Sequence, residues 1–150
     1  MPLPINELNS EALAFLAFLK PASVAVGTAT IGPFGCSLVN RVLFVLEVGV
    51  IAGGATVDAV VQTAPTIGGS YTNLAGTSIT QVTVSASGKL VLVECKGESI
   101  SAFGTGAFIQ LLVTVGTAAV ILAGKAIDAH ADYSPGSDQN IASVVQTVVV

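Results

Sequence analysis

The chain has 150 residues, of which 52% are hydrophobic and 9% are charged, and its formal net charge is −4 at pH 7. Average globular proteins carry about 25% charged residues, and the five lysines and arginines here form no basic cluster, so the composition argues against direct binding of nucleic acid. A length of 150 residues suits one domain. A surface poor in lysine and glutamate usually faces protein or lipid, so we expect the chain to assemble with other molecules.

The N-terminal region, residues 1–21, contains the apolar segment Ala12 to Leu19, which predicts a short helix or arm. Asn9 or Ser10 can cap the helix, and Pro21 would end it. Such a helix is apolar on every side, so it has to bury itself in its own domain or in a neighbouring subunit. Acidic residues precede the segment and no Ala-x-Ala cleavage site follows it, so we expect no secretory signal.

Residues 22–150 have the texture of a β-sandwich or barrel. Segments rich in Val, Thr and Ile alternate with Gly, Ser, Asn and Pro, which is typical of short antiparallel strands joined by turns. The eight predicted strands are 22–31, 41–48, 56–63, 78–85, 89–95, 108–115, 118–128 and 143–150. Several of them are apolar on both faces, so we expect a subunit interface to cover more than one side of the domain.

The uncharged stretch "FIQLLVTVGTAAVILAG", from Phe108 to Gly124, has two interpretations. It nearly reaches the roughly 20 apolar residues that a membrane helix needs. However, a glutamine and several Gly and Thr residues interrupt it, and aromatic and basic anchors are sparse at its ends. We therefore favour two strands joined as a hairpin at "GT", and keep a membrane-associated protein with a span at 108–124 as an alternative.

Segments 41–63 and 108–128 share an outline. Each has an apolar strand, then "EVG" or "TVG", a turn of small residues and a second strand with polar residues at its end. We interpret each segment as one long hairpin, and two such hairpins packed face to face would form the core of a sandwich.

The densest group of polar side chains is "DAHADY", in which Asp128, His130 and Asp132 alternate and would share one face of a strand. One histidine and two carboxylates can bind a metal, and His130 could act as a base. A solvated loop is the simpler interpretation, because the chain has no second histidine and a metal site usually needs further ligands.

Other catalytic signatures are missing from the sequence. There is no Gly-x-Ser-x-Gly elbow, and the glycine-rich segments "IAGGAT" and "FGTGAF" lack the lysine of a phosphate loop, so both predict turns. Cys36 and Cys95 lie in no recognisable motif, and without a secretory signal we expect two reduced, largely buried thiols. We therefore expect no enzyme activity, no cofactor and no bound metal.

Two acidic residues, Glu47 and Asp58, interrupt apolar strands. Each either points to water or pairs with a cation, and Arg41 and Lys125 are the possible partners. We expect a role in register or at an interface rather than in catalysis.

Two sequence elements, together with the apolar strands around them, resemble small structural proteins of tailed-bacteriophage virions. The first is "GATVDA" preceded by an aliphatic strand and a glycine, and the second is "NLAGTSITQ". The resemblance covers roughly residues 41–150. The matching positions are Gly49, Gly54, Ala55, Thr56, Val57, Asp58 and Ala59, then Asn73, Leu74, Gly76, Ile79, Thr80 and Gln81.

The resemblance implies a capsid decoration, or cement, protein with a jelly-roll-like sandwich. Such a protein binds the outer shell of the virion and clamps adjacent capsomers, with copies of itself and the major capsid protein as partners, and a homotrimer is the expected assembly. No membrane partner is implied, and the chain would be made in the host cytoplasm and located on the capsid surface. A head-to-tail connector, a tail component or a spike component is the alternative. The residues predicted to form contacts are Phe15, Leu16, Phe18, Leu19, Val148 and Val150.

Overall fold

The fold is an all-β sandwich of two packed sheets, as predicted. The computed structural model describes residues 13–36, 39, 41–96, 107–129 and 141–150. The described strands are β1 (Leu13–Val24), β2 (Gly27–Gly35), β3 (Arg41–Ile51), β4 (Thr56–Ala64), β5 (Thr72–Asn73), β6 (Leu90–Lys96), β7 (Phe108–Gly116), β8 (Val120–Ala129) and β9 (Val144–Val149). Two short 3-10 turns, Val84–Ala86 and Ile141–Ser143, complete the described elements.

The strand order is that of a jelly roll. One sheet has the order β1-β8-β3-β6-β9 and the other has the order β2-β7-β4-β5. Every pairing is antiparallel except β6 with β9, which is parallel. Without β9, the two sheets contain four strands each, and among the described strands only β4 and β5 are both consecutive and paired. Eight strands in two sheets of this kind define the jelly-roll architecture.

The core lies between the two sheets and is built by strict alternation along the strands. On β3, every second residue from Val42 to Val48 is buried, and the residues between them point away from the core. Phe44 of the five-stranded sheet packs against Phe34 of the four-stranded sheet, with ring centroids 6.0 Å apart. Gly124 on β8 leaves room for the buried side chain of Ile31, which comes from the opposite sheet.

The helix predicted in the N-terminal segment is wrong for the residues that the structure describes. Leu13 to Lys20 belong to β1, which pairs with β8 along its whole length with two register shifts. A segment that is apolar on every side has no helical period, and pairing with β8 satisfies its backbone while one side packs on the core. Tertiary contacts therefore outweigh the helix propensity of Leu and Ala.

The two predicted hairpins are also wrong, although all four of their strands exist. β3 and β8 are neighbours in the five-stranded sheet, whereas β4 and β7 are neighbours in the four-stranded sheet. The turns 52–55 and 117–119 therefore carry the chain from one sheet to the other as two arches. Alternation could not distinguish these cases, because a strand buries the same residues whether its predecessor lies beside it or opposite it.

Two of the predicted strands differ from the structure. The segment 22–31 is broken at Ala25 and Val26, where the chain leaves β1 and enters β2 in the other sheet. The segment 78–85 forms no strand and contacts β4 through an isolated bridge between Val57 and Val82. The alternating residues of this segment therefore line a sheet edge without forming a full ladder.

No helix in the described part of the chain is long and apolar enough to cross a membrane. The alternative of a membrane helix over residues 108–124 is wrong, because this stretch contains β7, a turn and the first half of β8.

Candidate interaction surface

The side of the five-stranded sheet that faces away from the core is largely apolar. We call it the apolar face. Its residues were identified from the alternation of burial and from the strand register. They are Phe15 and Phe18 on β1, Ile121, Ala123, Lys125 and Ile127 on β8, Arg41, Leu43, Val45 and Glu47 on β3, Leu90, Leu92, Glu94 and Lys96 on β6, and Val145, Thr147 and Val149 on β9.

Four of the five charged side chains in this set form two ion pairs, and the fifth, Lys96, lies opposite Arg41. Lys125 Nζ lies 2.7 Å from Glu47 Oε1, so of the two alternatives for Glu47 the structure shows pairing, with one of its two possible partners. Arg41 Nε lies 3.6 Å from Glu94 Oε1 on the neighbouring strand. Four of the charged groups therefore neutralise each other in pairs across adjacent strands, and apolar side chains surround these pairs.

A groove of about 440 Å³ lies along β1 and β8 on this face. Its walls include the apolar side chains of β1 and the ion pair formed by Glu47 and Lys125, and Ala123 and Gly124 add small residues to its lining. Phe15 and Phe18 line the groove and protrude, with 68% and 75% of their surface exposed. A protruding aromatic pair thus lies beside a mostly apolar hollow.

The outer side of the four-stranded sheet has the opposite character, and we call it the polar face. Alternation and register place on it Thr28, Thr30, Thr56, Asp58, Val60, Gln62, Asn73, Gln110, Leu112 and Thr114. Three of these amides form a chain across the strands. Gln110 Nε2 donates to Gln62 Oε1 at 3.0 Å, and Gln62 Nε2 donates to Asn73 Oδ1 at 2.8 Å. The two outer surfaces of one sandwich therefore differ in chemistry.

The six residues predicted to form contacts fall into two groups. Phe15 and Phe18 point outward on the apolar face. Leu16, Leu19 and Val148 are partly buried and pack against the core, and Val150 is partly buried beside β6.

Most other apolar members of the face were missed, among them Leu43, Val45, Leu92, Ile121 and Ile127. The sequence signal was the two-faced apolar pattern of strands such as "LVLV", but that pattern does not show which strands share a sheet.

The two elements that resemble phage virion proteins lie against each other at one edge of the sandwich. The segment 74–82 runs along β4, and Gln81 Nε2 donates to Asp58 Oδ2 at 2.9 Å. Asp58 thus bonds to an amide rather than to either predicted cation. Thr80 N donates to Gln146 Oε1 at 3.0 Å, and Gln146 Nε2 donates to Thr80 O at 2.8 Å, which ties the segment to β9 of the other sheet. These elements therefore close the sandwich.

Thr77 also holds the segment 74–82 on β4. It is fully buried, and its hydroxyl accepts from Val61 N at 3.1 Å and donates to Leu74 O at 2.7 Å. The side chain replaces a strand partner at the point where β5 has ended. No sequence pattern indicated that this threonine, among many in the chain, would be buried.

Of the predicted metal or base site, the structure describes only Asp128. Asp128 lies in β8, whereas His130 and Asp132 lie outside the described residues. Within the described part of the chain, no three His, Cys, Asp or Glu side chains are grouped so that they could hold a metal ion.

The two cysteines are free and buried, as predicted. Cys36 Sγ donates to Ala107 O at 2.9 Å, and burial raises the pKa of this thiol. Burial, together with the nearby carboxylate of Glu94, raises the pKa of Cys95 to about 12. Both groups are therefore neutral at physiological pH and poor nucleophiles.

No protein-family model matches the chain, and no curated protein matches it. Among solved structures, the chain is similar to one from infectious bursal disease virus, described as the structure of its Gt strain, with 13% sequence identity and a TM-score of 0.41. The match covers 81% of this chain and 34% of the viral chain, so this chain spans about a third of that protein's length. A likeness at this level assigns no function.

Proposed function

We propose that the chain is a non-enzymatic structural protein of a tailed-bacteriophage virion, specifically a decoration or cement protein. It binds the outer shell through the major capsid protein, associates with copies of itself, and clamps adjacent capsomers. The proposal joins the sequence resemblance of residues 41–150 to a jelly-roll sandwich, an architecture that viral capsid domains share with lectins and cupins.

The apolar face is the single observation that carries this proposal. Monomeric soluble proteins rarely expose contiguous apolar patches larger than a few hundred Å². Here the apolar side chains extend over all five strands of one sheet, around two ion pairs, while the other sheet presents hydroxyl, amide and carboxyl groups around Val60 and Leu112. This asymmetry supports a protein whose work is to bury one surface against other protein.

The stabilisation of a shell would come from repetition rather than from any one strong contact. A protein that contacts two neighbouring capsomers and its own copies gains effective concentration at the second contact once the first has formed. Modest interfaces then add up over a closed, symmetric shell. Such a mechanism needs no cofactor.

Binding to shells tests the proposal directly. Expanded shells assembled from the major capsid protein of the same genome are mixed with the purified full-length chain and sedimented through a cushion. We expect saturable binding with a copy number proportional to the number of capsomers, and a higher temperature of shell disruption. A small fixed number of copies at one vertex would instead indicate a connector, tail or spike component, and no binding would refute a role on the shell.

A further inference from the structure

We propose that the occupant of the apolar face is a second copy of this chain, with the aromatic side chains of β1 inserted at the contact. This inference rests on the proposed function only in that the chain assembles with itself. It adds which surface meets the partner and what the partner is.

The first argument is that the face has a protruding part and a recessed part that are complementary to each other. Phe15 and Phe18 protrude beside a groove of about 440 Å³ that is lined mainly by apolar side chains. A two-fold contact between identical copies uses the same surface on both, so that surface has to be complementary to itself. A protruding aromatic pair and a neighbouring apolar hollow on one face meet that requirement, and buried aromatic anchors are typical centres of interfaces.

The second argument is electrostatic. The chain carries a formal net charge of −4, so two copies repel each other on average. On the apolar face, however, Lys125 is paired with Glu47 and Arg41 with Glu94, and Lys96 adds one further cation. A second copy brought against this face meets two neutral pairs and none of the chain's excess negative charge, so the face is a favourable place for identical chains to meet.

The third argument is size. Five strands about 4.8 Å apart, with 12, 10, 11, 7 and 6 residues at about 3.4 Å per residue, give a face of about 750 Å² in projection. Each partner in a standard stable interface contributes about 800 Å² of accessible surface. The face is therefore of the order that a stable contact between two copies needs.

The test measures the mass of the 150-residue chain by light scattering on a sizing column, over a dilution series that starts at about 100 µM. We expect a mass of two or more copies for the unaltered chain at the highest concentration. Phe18→Asp places a charge in the contact and should raise the concentration at which the mass falls to one copy by at least about 30-fold, the effect of losing one strong anchor. Ile121→Asp, on β8 of the same face, should do the same and serves if the first variant does not fold.

Ile67→Asp is the matched control, because Ile67 is also a large exposed apolar residue, at 60% exposure, but lies in the turn between β4 and β5. It should leave the mass unchanged. The inference is overturned if the unaltered chain has a single-copy mass at every concentration, if both face variants dissociate over the same concentrations as the unaltered chain, or if the control dissociates as they do.

The same samples separate this inference from the proposed function. A chain that self-associates through Phe18 but does not bind shells would refute the function and keep the inference. A single-copy chain that binds shells would keep the function and refute the inference, since the face would then be covered by an unlike partner or by another part of the chain.

Discussion

Replacing Thr77 by valine should destabilise the sandwich, although it exchanges a polar residue for an apolar one of similar size at a fully buried position. The Thr77 hydroxyl accepts from Val61 N and donates to Leu74 O. Without it, the buried Val61 N–H is left unsatisfied, which costs about 1–3 kcal/mol. The half-buried Leu74 carbonyl keeps its bond from Thr77 N at 3.4 Å but loses the bond from the hydroxyl, which costs about 0.5–1.5 kcal/mol more. We expect Thr77→Val to lower the free energy of unfolding by about 2–3 kcal/mol.

Urea unfolding and thermal melting followed by circular dichroism measure this change, with Thr77→Ser as the control. The serine variant keeps both hydrogen bonds and deletes one buried methyl group, which costs about 1 kcal/mol. For a domain of this size each kcal/mol corresponds to about 2–4 °C, so the valine variant should melt roughly 5–10 °C below the unaltered chain. If Thr77→Val is as stable as the unaltered chain, or more stable than Thr77→Ser, then the hydrogen bonds of Thr77 do not hold the segment 74–82 on β4.

Three further predictions concern the core, the thiols and the ion pairs. Gly124→Ala places a methyl group against Ile31 and should lower the free energy of unfolding by about 1–2 kcal/mol, and adding Ile31→Val should recover part of that loss. If the two effects are additive in a double-mutant cycle, the cross-sheet contact is wrong. The pKa of the Cys95 thiol rises from 9.0 in the unfolded chain to about 12 in the folded chain, so the free energy of unfolding should fall as the pH rises between these values. Unfolding measured across that pH range should show a smaller decrease in Cys95→Val. Lys125→Met should change the free energy of unfolding by less than about 1 kcal/mol in urea titrations, because the side chains of Lys125 and Glu47 are 38% and 40% exposed; a larger loss would indicate a stronger pair.

The sequence was sufficient for the fold class and for most strands, because alternation and turn residues are local signals. The strands 41–48, 56–63, 89–95, 108–115, 118–128 and 143–150 all appear in the structure with small shifts at their ends. Strand pairing was not predictable in the same way. Whether the residues after Gly116 fold back beside β7 or cross to the opposite sheet depends on long-range contacts that alternation does not encode.

The candidate surface was predictable only in its general character. The two-faced apolar strands indicated that an outer surface would need a cover, and that interpretation was drawn from the sequence. Its location required the strand order, which brings β1, β8, β3, β6 and β9 side by side from widely separated parts of the chain. Thr77 was unpredictable for a related reason, because its burial follows from how residues 74–82 pack along β4.

Segments 41–63 and 108–128 have similar outlines because each forms one of the two arches. Each arch places one strand in each sheet, and the arches pair with each other, β3 with β8 and β4 with β7, to form the centre of the sandwich. The inward residues of these four strands already fill the core, so the core places no demand on the outward ones. On β4 and β7 the outward positions include Thr56, Asp58, Gln62, Gln110 and Thr114 beside Val60, Phe108 and Leu112, whereas on β3 and β8 the outward positions without a paired charge are the apolar residues Leu43, Val45, Ile121, Ala123 and Ile127. Since both pairs have the same role in the core, the difference between their outer faces has to come from what each face contacts, and under the proposed function the five-stranded sheet is the one that contacts protein.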